Sequence, residues 1–302
     1  MIHMRRGALF LVAALTLAAC QPTDGGASSS GAGESESATE SGGGGGEGAL
    51  ARIQEAGEII VSTDPAYPPQ SFLNEETGDY EGFDIDVALE IGKRLGVDVT
   101  FIDPTFDAVV AGSWSGRWDM SVGSVTVTED RKSVLDFTQP YYFTPAQMAA
   151  LADSDIESVE DLAGATVCAG ESTTYVFWIE GSLELPAEAG DIADVPEGMT
   201  ATTLPSDLDC AEAWRSGRTD EFQGWLTALP TAQGAIDEDY PVKLVGEPVF
   251  FEPLAVAFDK SVEDNDDLVA EIDRIIAEMH EDGTLTQLSE KWYGGQDLTT
   301  QE

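Results

Sequence analysis

The sequence predicts an α/β fold of two lobes, each a mostly parallel sheet with flanking helices. Strand-like and helix-like segments alternate from residue 50 onward, an order typical of parallel sheets with helices on both faces. The same pattern starts again after Asp155, which indicates a second lobe. The 302 residues are enough for two lobes of ordinary size.

The first lobe is predicted from residues 58–127. The β-branched segment EIIVST at 58–63 predicts a strand, and apolar or small residues at helical spacing in 83–96 predict a helix that ends at Gly96. Further along, the sequence predicts a strand at 97–103, a helix at 106–117 and a strand at 118–127.

The second lobe shows the same alternation. The sequence predicts a short helix at 158–164, a strand at 165–170, a helix beginning within 173–181, and a helix followed by a strand within 208–225.

One apolar face predicts a long helix near the end of the chain. This face consists of Leu268, Ile272, Ile275, Ile276 and Met279. A last short helix is predicted at 284–295.

Residues 1–19 have the pattern of an export signal. Arg5 and Arg6 precede an uncharged apolar run from Gly7 to Ala19, which is too short to span a bilayer core of about 30 Å. The end of this run, LAAC, is similar to the lipobox of bacterial lipoproteins. That similarity implies cleavage before Cys20 and lipidation of its thiol. The alternative is ordinary secretion with a cysteine there by chance.

Residues 20–48 are predicted to be a lipidated flexible tether. From Gln21 to Gly48 the sequence holds ten Gly and six Ser and no large apolar side chain, so nothing offsets the entropy lost on ordering. Such a tether has a typical length of roughly 30 Å. We therefore expect a protein on the outer face of the cell membrane, at the cell surface or in a periplasm, held by its lipid anchor.

The chain is strongly acidic, with 57 Asp and Glu against 14 Lys and Arg and a net charge of −43. This charge argues against a nucleic acid partner and against docking on anionic lipid. Only five of the 14 basic residues are Lys. An acid-rich, Lys-poor composition favours a halophilic protein, because salt screens its self-repulsion. The alternative is an acidic secreted protein.

Two cysteines remain after Cys20. In an exported protein, Cys168 and Cys210 are expected to form a disulfide, and the alternative is two buried free thiols. No spacing indicates a metal, because the chain has only His3 and His280 and the acidic run EDNDD at 263–267 lacks the Gly and Glu of a calcium loop. We expect neither a metal nor a cofactor.

Several segments in order resemble the family 3 extracellular solute-binding proteins, the capture subunits of amino-acid ABC importers. The resemblance begins with GEIIVSTDPAYPPQSF, TGDYEGFDIDVALEIGKRLGVDVTF and GRWDMSVGSVTVTEDRKSVLDFTQPYY. It continues through LAGATVCAGESTT, EPLAVAF and EMHEDGTLTQLSEKWYG, and so covers nearly all of residues 50–295.

The resemblance implies a two-lobed clamp of the periplasmic-binding-protein type (type II). Lobe 1 would comprise residues 50–143 and 252–302, and lobe 2 residues 144–251. The hinges would lie near YYFTPA (141–146) and VFFEPL (249–254). The ligand would lie between the lobes, at the carboxyl ends of the strands.

Arg131 is the central candidate for ligand binding. The resemblance implies that it grips a carboxylate, for which the planar guanidinium is suited because it makes two parallel charge-assisted bonds. Ser124 and Thr126 lie on one face of the preceding strand and can add hydroxyl contacts. The alternative for Arg131 is a surface salt bridge to Asp130 or Glu129.

Thr173 and Thr174 are the candidates from lobe 2. They match the family's Gly-x-Thr-Thr turn and stand where a helix begins, so free N–H groups would face the cleft. The alternative is a plain helix cap.

Three further candidates map to pocket positions in lobe 1. Asp64 would accept a hydrogen bond from a cationic group, and Tyr67 and Phe106 would cover the ligand. As alternatives, Asp64 caps the DPAYPP turn and Phe106 belongs to the core.

Three departures from the family put an ordinary α-amino acid ligand in doubt. In lobe 2, many family members have an Asp that binds the ligand's ammonium, and Gly224 occupies that position here. The family's PFE is replaced by PQS at 69–71, and the stretch 112–118 is rich in Trp. The candidates for the missing anion are Glu171, Glu221 and Asp64. The candidate aromatic walls, each with the core as its alternative, are Trp114, Trp178 and Trp225.

Together these features predict a membrane-tethered, monomeric binding lipoprotein rather than an enzyme. It would capture a small polar amino acid or related carboxylate and deliver it to the transmembrane subunits of an ABC permease. One alternative is a sensor subunit that presents its ligand to a receptor. Another is an enzyme like cyclohexadienyl dehydratase, which uses the same fold and would need a general acid such as Glu171 or Asp64.

Overall fold

The computed structural model describes residues 48–300. The predictions for the signal peptide, for Cys20 and for nearly all of the tether fall outside the described residues. The α-helices are α1 (Ala49–Ala56), α2 (Phe83–Leu95), α3 (Phe106–Val110), α4 (Thr174–Ile179), α5 (Asp207–Arg215), α6 (Leu229–Asp237), α7 (Asp266–Glu281) and α8 (Thr284–Trp292).

Eleven strands lie between these helices in the described part of the chain. They are β1 (Glu58–Ser62), β2 (Ala66–Tyr67), β3 (Ser71–Leu73), β4 (Tyr80–Glu81), β5 (Asp98–Ile102), β6 (Met120–Thr126), β7 (Leu135–Leu151), β8 (Thr166–Gly170), β9 (Thr200–Leu204), β10 (Gly224–Ala228) and β11 (Val242–Asp259).

Eight of the strands form one sheet in the order β5-β1-β6-β11-β7-β10-β8-β9, and β2, β3 and β4 form a small second sheet. Strand β1 runs parallel to β5 and β6, and β8 runs parallel to β9 and β10. The predicted parallel arrangement is therefore confirmed in each half. Because β7 and β11 are antiparallel to each other and to their neighbours, they join the halves into a continuous sheet.

Strands β7 and β11 are 17 and 18 residues long and pass through both predicted hinge segments. They pair from Val242 with Leu151 to Asp259 with Leu135, and Glu252 lies opposite Thr144 where the halves meet. The lobe boundaries remain a prediction.

The hydrophobic core is divided between the two halves. In the first half, Ile59, Val87 and Ile272 belong to a large cluster, while Trp114 and Trp118 stack 4.9 Å apart in a smaller one. The second half also has two clusters. One contains Met148, Val167 and Trp178, and the other contains Trp214, Trp225 and the cysteines.

Local residue chemistry accounts for where the helices end. Helix α2 ends at Gly96, whose φ of 75° is the left-handed conformation that glycine adopts easily. The predicted helix at 106–117 is wrong beyond Val110. Gly112, Ser113 and Ser115 have φ of 64°, 56° and 57°, and a right-handed helix cannot continue through them. The predicted helix at 158–164 is a 3₁₀ turn at Val159–Leu162.

Several elements were missed by sequence analysis. The long strands were read only as hinge segments, and the short edge strands were too short to show a period. These missed elements are α1, α6, β2, β3, β4, β7, β9 and β11.

The predicted disulfide between Cys168 and Cys210 is present, with the two Cα atoms 5.9 Å apart. It joins β8 to α5 and closes a sequence separation of 42 residues. Among residues 48–300, no group of three or more His, Cys, Asp or Glu side chains is placed to hold a metal ion. A search of the same residues finds no helix with the length and apolar character needed to cross a membrane.

Candidate functional site

A cavity lies where the carboxyl ends of the parallel strands of the two halves face each other, the position expected for ligands of open α/β sheets. It contains about 460 Å³ not filled by protein atoms, including its opening to solvent. Its lining residues are Asp64, Tyr67, Phe106, Gly123, Ser124, Thr126, Arg131, Gly170, Glu171, Thr173, Thr174, Tyr175, Pro205, Ser206, Asp207 and Glu252. The structure thus brings all eight predicted ligand-binding residues to one cavity, while their role in binding remains a prediction.

We define two walls of this cavity. The first wall belongs to the first half of the fold and consists of Asp64, Tyr67, Phe106, Gly123, Ser124, Thr126 and Arg131. The second wall belongs to the second half and consists of Gly170, Glu171, Thr173, Thr174, Tyr175, Pro205, Ser206 and Asp207. Glu252 lies on β11 between them.

Arg131 is buried in the first wall with only 4% of its surface exposed. Its Nη1 donates to the Thr126 carbonyl at 2.9 Å, and its Nη2 donates to the Ser172 carbonyl, on the other half, at 2.9 Å. Its Nε is buried without a hydrogen-bond partner. The guanidinium also lies over the Phe106 ring, 5.2 Å from the centroid. One side chain thus bridges the two halves and keeps an unused donor.

The surface salt bridge proposed as the alternative for Arg131 is wrong. The side chain is buried, and Glu129 instead pairs with Lys132 at 2.9 Å. Burial lowers the pKa of Arg131 to about 10, while the charge of Glu252 opposes this shift. The guanidinium therefore remains protonated at neutral pH.

Ser124 and Thr126 line the first wall, but their hydroxyls are engaged within the protein. The Ser124 Oγ donates to Asp84 at 2.7 Å, and the Thr126 Oγ1 donates to Glu252 at 2.7 Å. Ser124 has a φ of 55°, a left-handed conformation uncommon outside glycine and often found at functional sites. The expected contact through both hydroxyls would require these bonds to be exchanged.

Asp84 lies behind the first wall and is fully buried. It accepts hydrogen bonds from Ser124 and from the Tyr141 hydroxyl, each at 2.7 Å. Burial raises the pKa of Asp84 to about 7, and the two hydroxyl donors limit this rise. The Ser124 conformation is thus held by a buried polar network.

Glu252 is a cavity residue that sequence analysis missed, since VFFEPL was interpreted only as a hinge. It is 2% exposed. Its carboxylate accepts from Thr126 at 2.7 Å, Tyr175 at 2.6 Å, Thr144 at 3.4 Å, and also from Thr174. The signal in the sequence was a single acid within an otherwise apolar strand, because such a residue is rarely buried without partners.

Thr173 and Thr174 are placed at the start of α4 as predicted. The Thr173 hydroxyl donates to the Gly170 carbonyl at 2.8 Å and makes no cap to the helix. The Thr174 hydroxyl donates to Glu252. The preceding Ser172 has a φ of 60° and directs its carbonyl to Arg131. A plain helix cap therefore does not describe these residues.

Asp64 and Tyr67 are partly buried lining residues of the first wall. Asp64 accepts the Ala66 N–H at 2.8 Å, so the predicted turn role is present together with its place in the cavity. Burial raises the pKa of Asp64. The Tyr67 hydroxyl lies 3.1 Å from the Tyr175 hydroxyl, which connects the two walls. Phe106 lines the cavity and also packs against the cluster that contains Trp114.

Asp207 is a second cavity residue that sequence analysis missed, because it lies just before the segment 208–225 and was given no role. It is 6% exposed and accepts the Gly170 N–H at 2.7 Å. A Cβ at Gly170 would lie 2.8 Å from Asp207 Oδ1, so this approach requires glycine. Burial raises the pKa of Asp207 to about 8.

The Gly224 and Glu221 assignments are wrong. A Cβ at Gly224 would meet the side chains of Val167, Leu162 and Met148, so this position faces the core. Glu221 pairs with Arg218 at 2.5 Å on the surface.

The aromatic wall predictions are also wrong. Trp114, Trp178 and Trp225 are all buried in core clusters and none lines the cavity. The core was the alternative given for each of them.

Comparison with known proteins agrees with this geometry. Residues 59–295 match the family of bacterial extracellular solute-binding proteins, family 3. The chain belongs to this family. The L-cystine-binding protein TcyJ of Escherichia coli K12 is 30% identical over 251 residues, covering 82% of this chain and 87% of that protein. The histidine-binding periplasmic protein of E. coli K12 is 28% identical over 241 residues, covering 78% and 87%.

Among solved structures, an ancestral arginine-binding protein bound to arginine is 30% identical, with a TM-score of 0.67, and the match covers 79% of this chain and 99% of that chain. The two-lobed fold expected for a family 3 solute-binding protein is thereby confirmed. The named relatives are binding proteins, which confirms the prediction of solute binding rather than catalysis. The family is described as extracellular, and the histidine-binding relative as periplasmic.

Proposed function

We propose that this protein captures a small polar amino acid, or an amino-acid-like carboxylate, and delivers it to the permease of an ABC importer. The relatives named for binding cystine, histidine and arginine support an amino acid as the ligand. The lipobox-like segment before Cys20 and the Gly/Ser-rich residues 20–48 support a membrane-tethered monomer. The net charge of −43 supports a protein that works in high salt.

The observation that carries the proposal is the placement of Arg131. A buried guanidinium with an unpartnered Nε is a strong site for a carboxylate, since charge-assisted hydrogen bonds are short and about twice as strong as neutral ones. Arg131 is fixed from the first half by Thr126 and from the second by Ser172. A carboxylate bound there favours the closed arrangement because it interacts better with that arrangement than with an open one.

The decisive experiment is calorimetric titration of the mature chain in high salt with each of the common amino acids. We expect at least one of them to bind, and Arg131→Ala to weaken that binding by at least about 30-fold, since removing one partner of a buried charge pair costs roughly 2–5 kcal/mol. Arg131→Lys should also weaken it, because an ammonium lacks the planar fork.

Arg218→Ala is the matched control, because Arg218 is exposed and pairs only with Glu221. It should bind like the unmodified protein. An unchanged dissociation constant in Arg131→Ala would remove Arg131 from the site. No binding of any amino acid would overturn the proposed function.

A further inference from the structure

The cavity has an excess of acidic side chains. Asp207 and Glu252 are buried, Asp64 is half-buried and Glu171 is exposed at the rim, while Arg131 is the one basic residue among the lining residues. Within residues 48–300, no ion pair joins Arg131 to any of these acids. When these three inner carboxyls are ionised, they and the guanidinium leave two negative charges in excess.

A second observation points to a ligand in the same cavity. Only 4% of the surface of Arg131 is exposed, and the residue lines the cavity. Its Nε has no hydrogen-bond partner. A buried donor of this kind costs free energy unless another group occupies it. The acids therefore surround a site that already has an unused cationic donor.

Glu252 is stabilised without a cation. Four hydroxyls donate to it, from Thr126, Thr144, Thr174 and Tyr175. A carboxylate has about four lone-pair positions, so these donors occupy it fully. Glu252 contributes negative charge to the cavity but has little capacity for a direct ligand contact.

Asp64 and Asp207 are different, because neither accepts hydrogen bonds from four hydroxyls. Asp64 accepts the Ala66 N–H, and Asp207 accepts the Gly170 N–H. Their remaining lone pairs are available to a donor in the cavity. A metal ion does not fit, since no metal-binding group is formed among the described residues. Burial also raises the pKa of both carboxyls, as expected where no cation is nearby.

We propose that the ligand is an amino acid with a cationic side chain, and that Asp64 and Asp207 hold its positive groups while Arg131 holds its carboxylate. This proposal rests on the proposed function. Burial disfavours the ionised forms of Asp64 and Asp207, and a cationic group beside each carboxyl would favour them. A neutral or an acidic amino acid brings one cationic group, its α-ammonium, whereas a basic amino acid brings two. The basic ligand is favoured because unpaired charges in a closed cavity cost several kcal/mol each.

The test compares L-arginine with L-citrulline, which has the same length but a neutral end group. Calorimetric titration of the mature chain should give at least about 30-fold tighter binding of arginine, as expected for loss of one buried charge pair. Lysine should also bind more tightly than glutamine. Because arginine and citrulline share the α-ammonium, the ratio of their dissociation constants should fall towards one in only one of the variants Asp207→Asn and Asp64→Asn. In the other variant both ligands should bind more weakly by a similar factor.

Glu221→Gln is the matched control, since it removes one acid from the surface of the second half. It should keep the preference of the unmodified protein. Citrulline, glutamine or cystine binding as tightly as arginine and lysine would overturn the inference and leave the proposed function intact. Absence of binding by every amino acid would instead overturn the proposed function. If a variant does not fold, the ratio of the arginine and citrulline dissociation constants of the unmodified protein decides whether the ligand is basic.

Discussion

The two walls of the cavity are held in place by different means. The second wall is crosslinked, because the disulfide from Cys168 to Cys210 fixes α5 against β8 and so places Asp207 beside Gly170. The first wall has no crosslink and is held by the buried carboxyl of Asp84, which fixes Ser124 from behind. Glu252 connects the two, with hydroxyl donors from both.

This difference suggests a division of roles between the walls. The disulfide stabilises the second wall in a way that does not depend on pH or salt. The first wall rests on the buried carboxyl of Asp84, whose raised pKa makes the stability of this wall depend on protonation. The junction at Glu252 rests on buried hydrogen bonds. Three measurements separate these contributions.

The largest effect is expected from removal of the disulfide. A double variant, Cys168→Ser with Cys210→Ser, should lose about 4 kcal/mol of unfolding free energy, as loop entropy predicts for a separation of 42 residues. Guanidinium denaturation measures this loss, and hydrogen exchange should increase first in α5. Unmodified protein treated with a reductant should lose the same amount. A loss below about 1 kcal/mol would show that the second wall does not depend on its crosslink.

The next effect is expected at the junction. Glu252→Gln keeps the side chain's size but replaces one acceptor oxygen by a donor, so hydroxyls of Thr174, Tyr175 or Thr126 lose their acceptor. We expect a loss of about 2–3 kcal/mol in ligand binding and a larger radius of gyration in ligand-saturated solution. Glu247→Gln is the control, because Glu247 is exposed on the same strand. Equal binding by both variants would contradict a connecting role for Glu252.

The third effect is expected from the first wall and appears as a dependence of stability on pH. The folded-state pKa of Asp84 is raised from 3.8 to about 7, so the folded state binds a proton that the unfolded state releases. The resulting stability is complete below about pH 4 and is lost as the pH rises through about 7. Asp84→Asn should therefore show a flatter decline between pH 4 and 7 than the unmodified protein, measured in guanidinium chloride to screen surface charge. Identical pH profiles would rule out this contribution of Asp84.

The fold was largely predictable from the sequence because its signals are local. The helical spacing of apolar residues and the glycine that follows them predicted α2, and the apolar face near the end of the chain predicted α7. The helix predicted at 106–117 failed at Gly112 because the left-handed residues that follow it include serines, whose conformation cannot be read from residue type. The long strands were missed because sequence does not show that one strand serves both halves.

The site was predictable only in part, and for a related reason. Arg131 and the Thr pair could be located by resemblance to the family. Glu252 and Asp207 could not, because their burial follows from long-range packing. The Gly224 position was misread because β10 is buried on both faces. Gly224 lies against Val167 and Leu162, and Trp225 belongs to a core cluster, so neither faces the cavity. Trp114, Trp178 and Trp225 are buried in the core, which is the more common location for large aromatic residues.

The placement of the six tryptophans determines what fluorescence can report. Trp114 and Trp118 are buried in one half, and Trp178, Trp214 and Trp225 in the other, while Trp292 packs at the edge of the first core. None of them lines the cavity. Indole emission will therefore follow the melting of both halves yet stay nearly constant when a solute enters, so an optical sensor of occupancy requires a dye placed at the rim.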